Sequence, residues 1–145
     1  MSIIVQKYGG TSMANSDCVK NVAEKVVRSK RSGHDVVVVV SAPAGMTDLL
    51  VNRAKEITDK PSDRELDMIL ATGEQISISL LAMAIKALGE EAISFTSAQV
   101  GIFTDENHNK AKIETIDTTK IIKALTEGKV VIIAGFQGVT KDLEI

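Results

Sequence analysis

The run DVVVVVS, residues 35–41, decides the fold class. Five consecutive valines leave no polar alternation, so the strand they favour is apolar on both sides. Such a strand is covered on both faces, which places it inside a parallel sheet with helices packed above and below. Upstream, residues 2–8 (SIIVQKY) are short and β-branched and stop at Gly9-Gly10, which predicts a strand followed by a tight turn. Between these two strands Val19, Val22, Ala23, Val26 and Val27 recur at helical spacing. Ser12 or Asn15 is the candidate N-cap, and Gly33 closes the helix.

Downstream, a turn at residues 42–45 (APAG) precedes a helical stretch from Thr47 to about Ile57, which Pro61 and Ser62 break. A second helical stretch covers residues 63–88, with a join expected at Thr72-Gly73. Residues 91–95 predict a third strand, and 100–104 with 111–116 a β-hairpin around the polar turn 105–110. Asp117 or Thr118 is placed to cap a helix ending at Gly128, and residues 129–134 (KVVIIA) predict a further buried strand. The expected fold is therefore α/β: a three-layer α/β/α sandwich with a mostly parallel sheet and one antiparallel excursion.

With 145 residues, 44% hydrophobic and 25% charged, and only two prolines, the chain has the composition of one globular domain. A net charge of −2, one Tyr, three Phe and no Trp argue against a nucleic-acid partner, which would call for a basic face and stacking aromatics. The single cysteine, Cys18, rules out an internal disulfide and a multi-cysteine zinc site, and its helical neighbours suggest a small core residue. The longest purely apolar run, residues 36–40, is too short to cross a membrane, and no secretory leader is recognisable. A cytoplasmic location is the expectation, with no membrane partner.

Ligands of open parallel sheets sit beyond the carboxyl ends of the strands. Three strand ends carry unusual loops: residues 7–12 (KYGGTS), 41–47 (SAPAGMT) and 135–138 (GFQG). The first has the parts of a phosphate cradle, because paired glycines admit close backbone approach and Lys7 adds a full charge. A Gly-Gly turn beside a lysine is equally what a plain turn looks like. Neither a P-loop nor a dinucleotide fingerprint occurs. Glu74, just after Gly73 at the expected start of a helical segment, reads either as an ordinary first-turn acid favoured by the helix dipole or as an anchor for a ligand ammonium. His34 and His108 are expected in solvated turns.

The strings QKYGGTSM (6–13), VVVVVSAPAGMTDLL (36–50), DRELDMILATGEQISISLLAMAI (63–85) and IIAGFQGVT (132–140) resemble, in this order, the catalytic domain of bacterial aspartokinases within the amino acid kinase family. The likeness extends over the whole chain and points to the lysine-sensitive type. The resemblance implies transfer of the γ-phosphoryl group of ATP, carried with Mg²⁺, to the side-chain carboxylate of L-aspartate, the first step of lysine, threonine and methionine biosynthesis. It implies that Lys7 is the catalytic cation and that Lys7, Tyr8, Gly9 and Gly10 form the phosphate-contacting loop. It further implies that Ser41 and Thr47 are hydroxyl residues of the aspartate site, that Glu74 holds the α-ammonium, and that Phe136 borders the substrate. No protein metal cage is expected.

Family members continue past this point with further substrate-contacting loops and regulatory domains. Residues 1–145 are thus expected to be the N-terminal, substrate-side part of the kinase domain, inactive alone, with the nucleotide-binding half and regulatory domains absent. The last strand, residues 129–134, would then present an unpaired edge to another chain. Alternatives are a non-catalytic amino-acid-binding unit, or a kinase of the same fold acting on another carboxylate or a carbamate. Whether the protein forms a homo-oligomer stays open at this level.

Overall fold

Four strands pair in parallel in the order β1-β2-β6-β3, where β1 is Ile3–Tyr8, β2 Asp35–Val40, β3 Ala92–Phe95 and β6 Val130–Ala134. This computed structural model describes residues 2–108 and 110–145. Asn109, in the expected hairpin turn, lies outside the described residues. The helices are α1 Ser16–Arg31, α2 Met46–Ile57, α3 Asp63–Ala87 and α4 Thr119–Thr126. A separate two-stranded antiparallel hairpin comprises β4 Ile102–Thr104 and β5 Ile113–Ile116.

Alternate residues of the valine run explain the layers. Val36, Val38 and Val40 join Val130, Ile132 and Ala134 under α1 and α3, in a cluster with Val22, Val26, Ile78, Leu81 and Ile85. Val37 joins Val131 and Ile133 on the opposite face, against Ile121, Ala124 and Leu125 of α4 and Val100. Period-two alternation thus feeds two cores at once, as expected for a strand covered on both faces. Asn15 is the α1 cap, its side chain accepting from the Cys18 N–H at 2.9 Å. Cys18 itself is only half-buried, one position off the apolar stripe that ends in the core.

Two further expectations fail. The strand 129–134 carries no free edge: β6 inserts between β2 and β3, every residue of β6 is buried, and the sheet edges are β1 and β3. The neighbour expected from the absent remainder of the domain is instead β3, which precedes β6 in the chain. The join at Thr72-Gly73 is also absent, since α3 runs unbroken for 25 residues. α3 is long and apolar enough to cross a membrane by length and composition. Here one stripe of it (Ala71, Ile78, Leu81, Ile85) lies buried, with Ile78, Leu81 and Ile85 packed in the core beneath the sheet.

Candidate active site

Because the four sheet strands are parallel, the ends of β1, β2 and β6 open on one rim. Backbone hydrogen bonds knit the loops there. The Ser41 N–H donates to the Tyr8 carbonyl at 3.2 Å, the Gly135 N–H to the Val40 carbonyl at 2.9 Å, and the Ala44 N–H to the Gly10 carbonyl at 3.0 Å. Ala42 is the hub. A Cβ at Gly10 would stand 2.9 Å from the Ala42 carbonyl oxygen, and one at Gly73 would stand 2.7 Å from the Ala42 Cβ. Gly73 therefore serves close approach of a loop to a helix rather than a break in that helix.

Between these loops and the hairpin lies a cavity of about 710 Å³. Of the residues singled out in the sequence, Gly10, Ser41, Thr47, Glu74 and Phe136 line it. Lys7, Tyr8 and Gly9 do not. Lys7 stands beside the cavity, its ammonium 5.1 Å from the centre of the Phe136 ring. Tyr8 turns away: its ring packs against the core under α1 and α3 and its hydroxyl donates to Gln6 at 3.0 Å, so only its backbone faces the rim. At Gly9 a Cβ would meet nothing within 4 Å, so that stretch of backbone is open to an approaching group.

The α3 wall of the cavity is Asp67, Leu70, Ala71 and Glu74, spaced i, i+3, i+4, i+7 along one helical face. Glu74 is only 8% exposed, and one of its oxygens accepts from the Ala42 N–H at 3.3 Å. Its position corrects the dipole argument: it sits in the interior of a continuous helix, far from the N-terminal turn, so the macrodipole does not hold it. Desolvation pushes its carboxyl above the ordinary glutamate value, and hydrogen bonds from backbone groups including Ala42, and from Gln137, offset part of that shift. Gln137 is anchored in turn by its side-chain N–H, which donates to the Ala71 carbonyl at 3.3 Å. A buried, under-compensated carboxylate facing a cavity is suited to a cationic ligand group.

Sequence reasoning missed the hairpin wall. Thr104, Asp105, Glu106, Asn107, His108 and Lys110 line the cavity from that side. His108 is no solvated bystander, because its Nδ1 lies 2.8 Å from the Asp67 carboxylate on α3. The Thr104 N–H donates to the Val139 carbonyl at 2.8 Å, and the Val139 N–H to Ile102 at 2.9 Å, tying the hairpin to the chain beyond β6. The signal that would have found Asp67 was its seven-residue spacing from Glu74, hidden by the supposed break at Gly73. His34, by contrast, lies outside the cavity, its Nδ1 2.7 Å from the Ser2 hydroxyl.

The sequence profile described as the amino acid kinase family matches residues 2–145. The chain belongs to the amino acid kinase family. Among curated relatives of this family chain, it is 54% identical, over its whole length, to the aspartokinase of Geobacillus stearothermophilus and 52% identical to aspartokinase 2 of Bacillus subtilis. It spans about a third of their length, 36% in each case. Its structure resembles the aspartate kinase of Synechocystis with a TM-score of 0.81 and 43% identity, covering 99% of this chain and 23% of that one. It also shares the fold of E. coli aspartokinase III, solved with aspartate and ADP, with a TM-score of 0.84 at 22% identity, covering 99% of this chain and 42% of that one.

Proposed function

We propose that this chain is the substrate-side part of an aspartate kinase, which transfers a phosphoryl group from ATP to the side-chain carboxylate of L-aspartate. The observation carrying this reading is the single cavity that gathers Ser41, Thr47 and the buried Glu74, with Lys7 at its border. The 54% identity to an aspartokinase supports the choice of substrate. ATP supplies the γ-phosphoryl group. The receiving carboxylate is already ionised at neutral pH, its unperturbed pKa being about 3.9, so no general base is required. The obstacle is repulsion between two anions, and the remedy is positioning plus charge neutralisation.

In this reading Glu74 accepts from the α-ammonium of aspartate, and the ligand's charge relieves the desolvated carboxylate. Ser41 and Thr47 offer hydroxyls to the ligand's carboxylates, Phe136 closes the lip, and Lys7, with the open backbone at Gly9 and the adjoining loop at Gly10, receives phosphate. Mg²⁺ would come on the nucleotide phosphates. Among the described residues no group of three or more acidic, His or Cys side chains is arranged to cage a metal ion. A cytoplasmic location and a role in lysine biosynthesis belong to the same proposal, as does the placing of nucleotide-binding and regulatory parts in the remainder of the longer protein.

The runner-up is a kinase of this fold acting on an acylated amino acid or a carbamate. Glu74 separates the two, because only a free ammonium profits from that partner. In the full-length enzyme Glu74→Ala is expected to raise the aspartate KM by about 10- to 100-fold, the worth of a charge-assisted hydrogen bond, with a smaller effect on kcat. Lys7→Ala is expected to lower kcat by about 10²- to 10³-fold. Steady-state hydroxamate assays of aspartyl phosphate read both. An unchanged aspartate KM in the Glu74 variant would sink the assignment.

A further inference from the structure

Phe136 is a large aromatic side chain that folding alone does not account for. It is 85% exposed, so it contributes little to the core. Its backbone is also left-handed, with φ at +55°, a region that bulky residues rarely occupy and that costs free energy to hold. The strain is imposed from both sides. Gly135 is wedged against β2, where a Cβ would stand 3.0 Å from the Val40 carbonyl oxygen. Gln137 is tethered to the Ala71 carbonyl. The ring is thereby presented outward at a defined spot on the rim.

What it meets there is Lys7, whose ammonium lies 5.1 Å from the ring centre, within the range of a cation–π contact. Lys7 belongs to β1 and Phe136 follows β6, and β2 runs between those strands, so the contact bridges two elements that are not sheet neighbours. Lys7 takes part in none of the ion pairs among the described residues. By register it pairs with Val39, on the face that α4 covers over β2 but leaves open over β1, where Val5 is 66% exposed. A lysine there has a long flexible stem and no carboxylate to direct it.

We propose that Phe136 positions Lys7, its ring face holding the ammonium at the border of the cavity where a phosphate meets it. This rests on the reading of Lys7 as the phosphate-neutralising cation. A cation–π contact at an exposed site biases the lysine about two- to fivefold toward the held rotamer. That is enough to pre-orient the charge, and it leaves the side of the ammonium away from the ring free for an anionic phosphate. A carboxylate in the same place would hold the ammonium more firmly but would also repel the phosphate. An aromatic face attracts the cation without adding negative charge, and this is the physical reason for a ring at position 136.

The test uses the full-length protein with ¹³Cε-labelled lysine, the Lys7 signal being assigned by its loss in Lys7→Arg. In the ligand-free wild type the Lys7 methylene is expected to show an upfield ring-current shift, retained in Phe136→Tyr and lost in Phe136→Leu. Both variants change an exposed side chain, so the core is untouched. Phe136→Leu is expected to lower kcat two- to fivefold with the aspartate KM within twofold of wild type, and Phe136→Tyr to restore most of that loss. An absent ring-current shift in the wild type would overturn the proposal. So would equal kcat values for the Leu and Tyr variants, or a loss confined to aspartate KM, which would make the ring only a substrate wall. Were the wild type to leave aspartate unphosphorylated, the kinase reading would fall while the ring-current shift still decided the Lys7–Phe136 contact.

Discussion

Glu74 shows how a single residue carries both a structural cost and a use. Burial raises its pKa in the folded chain, so the ionised form is penalised by folding. For a carboxyl raised in this direction, stability is fullest below the unfolded pKa and falls as pH rises through the folded one. Above the folded pKa the whole penalty is in place. Glu74→Gln is therefore expected to stabilise the ligand-free protein by on the order of 1 kcal/mol at pH 7, and to lose that advantage below about pH 4. Thermal melts at both pH values check this, and an equal gain at both would contradict the assigned cause. Aspartate, under the proposed function, should bind more weakly as pH falls through the same window. One turn along α3, the Ser77 hydroxyl is buried without a hydrogen-bond partner among the described residues. Ser77→Ala should raise stability by about 1 kcal/mol, since it removes an unsatisfied polar atom and favours the helix. A denaturant midpoint that drops instead would mean the hydroxyl has a partner.

At the scale of elements, the hairpin β4-β5 matters most. Its strand β5 is exposed along its whole length, so little apolar burial holds it down. Position is set instead by the His108–Asp67 contact and by the backbone bonds to Val139. Asp67→Ala and His108→Ala should each loosen the hairpin, and the double variant should add nothing further. The coupling expected for a half-exposed pair is about 0.5–1 kcal/mol. Amide hydrogen exchange over residues 102–116 reads it out, and additive effects of the two substitutions would show that the residues act separately. Periodicity revealed the helices and the hairpin because those patterns are local. The continuity of α3 was not legible, since glycine inside a helix and glycine at a break look alike until Ala42 is seen 2.7 Å from where its Cβ would be.

For the whole molecule, the insertion of β6 between β2 and β3 organises everything else. Among the described residues β3 pairs with β6 alone, so β6 joins β3 to the sheet that β1 and β2 begin. Ile132 is fully buried in the α1–α3 core. Ile132→Ala is expected to cost about 2–5 kcal/mol through lost burial and the cavity left behind. Chemical denaturation of the full-length protein checks it, and a loss below about 1 kcal/mol would mean that the strand is replaceable. From residues alone came the class of fold, the strands and helices, the three loops with their lysine and hydroxyls, and the acid at position 74, because period, β-branching and glycine placement are written in neighbouring positions. Strand order, the clamp of Ala42 on Glu74, the His108–Asp67 contact and the meeting of Lys7 with Phe136 were decided only by the tertiary structure. Each joins residues between 32 and 129 positions apart, and at such separations only packing, steric exclusion and desolvation select the partner.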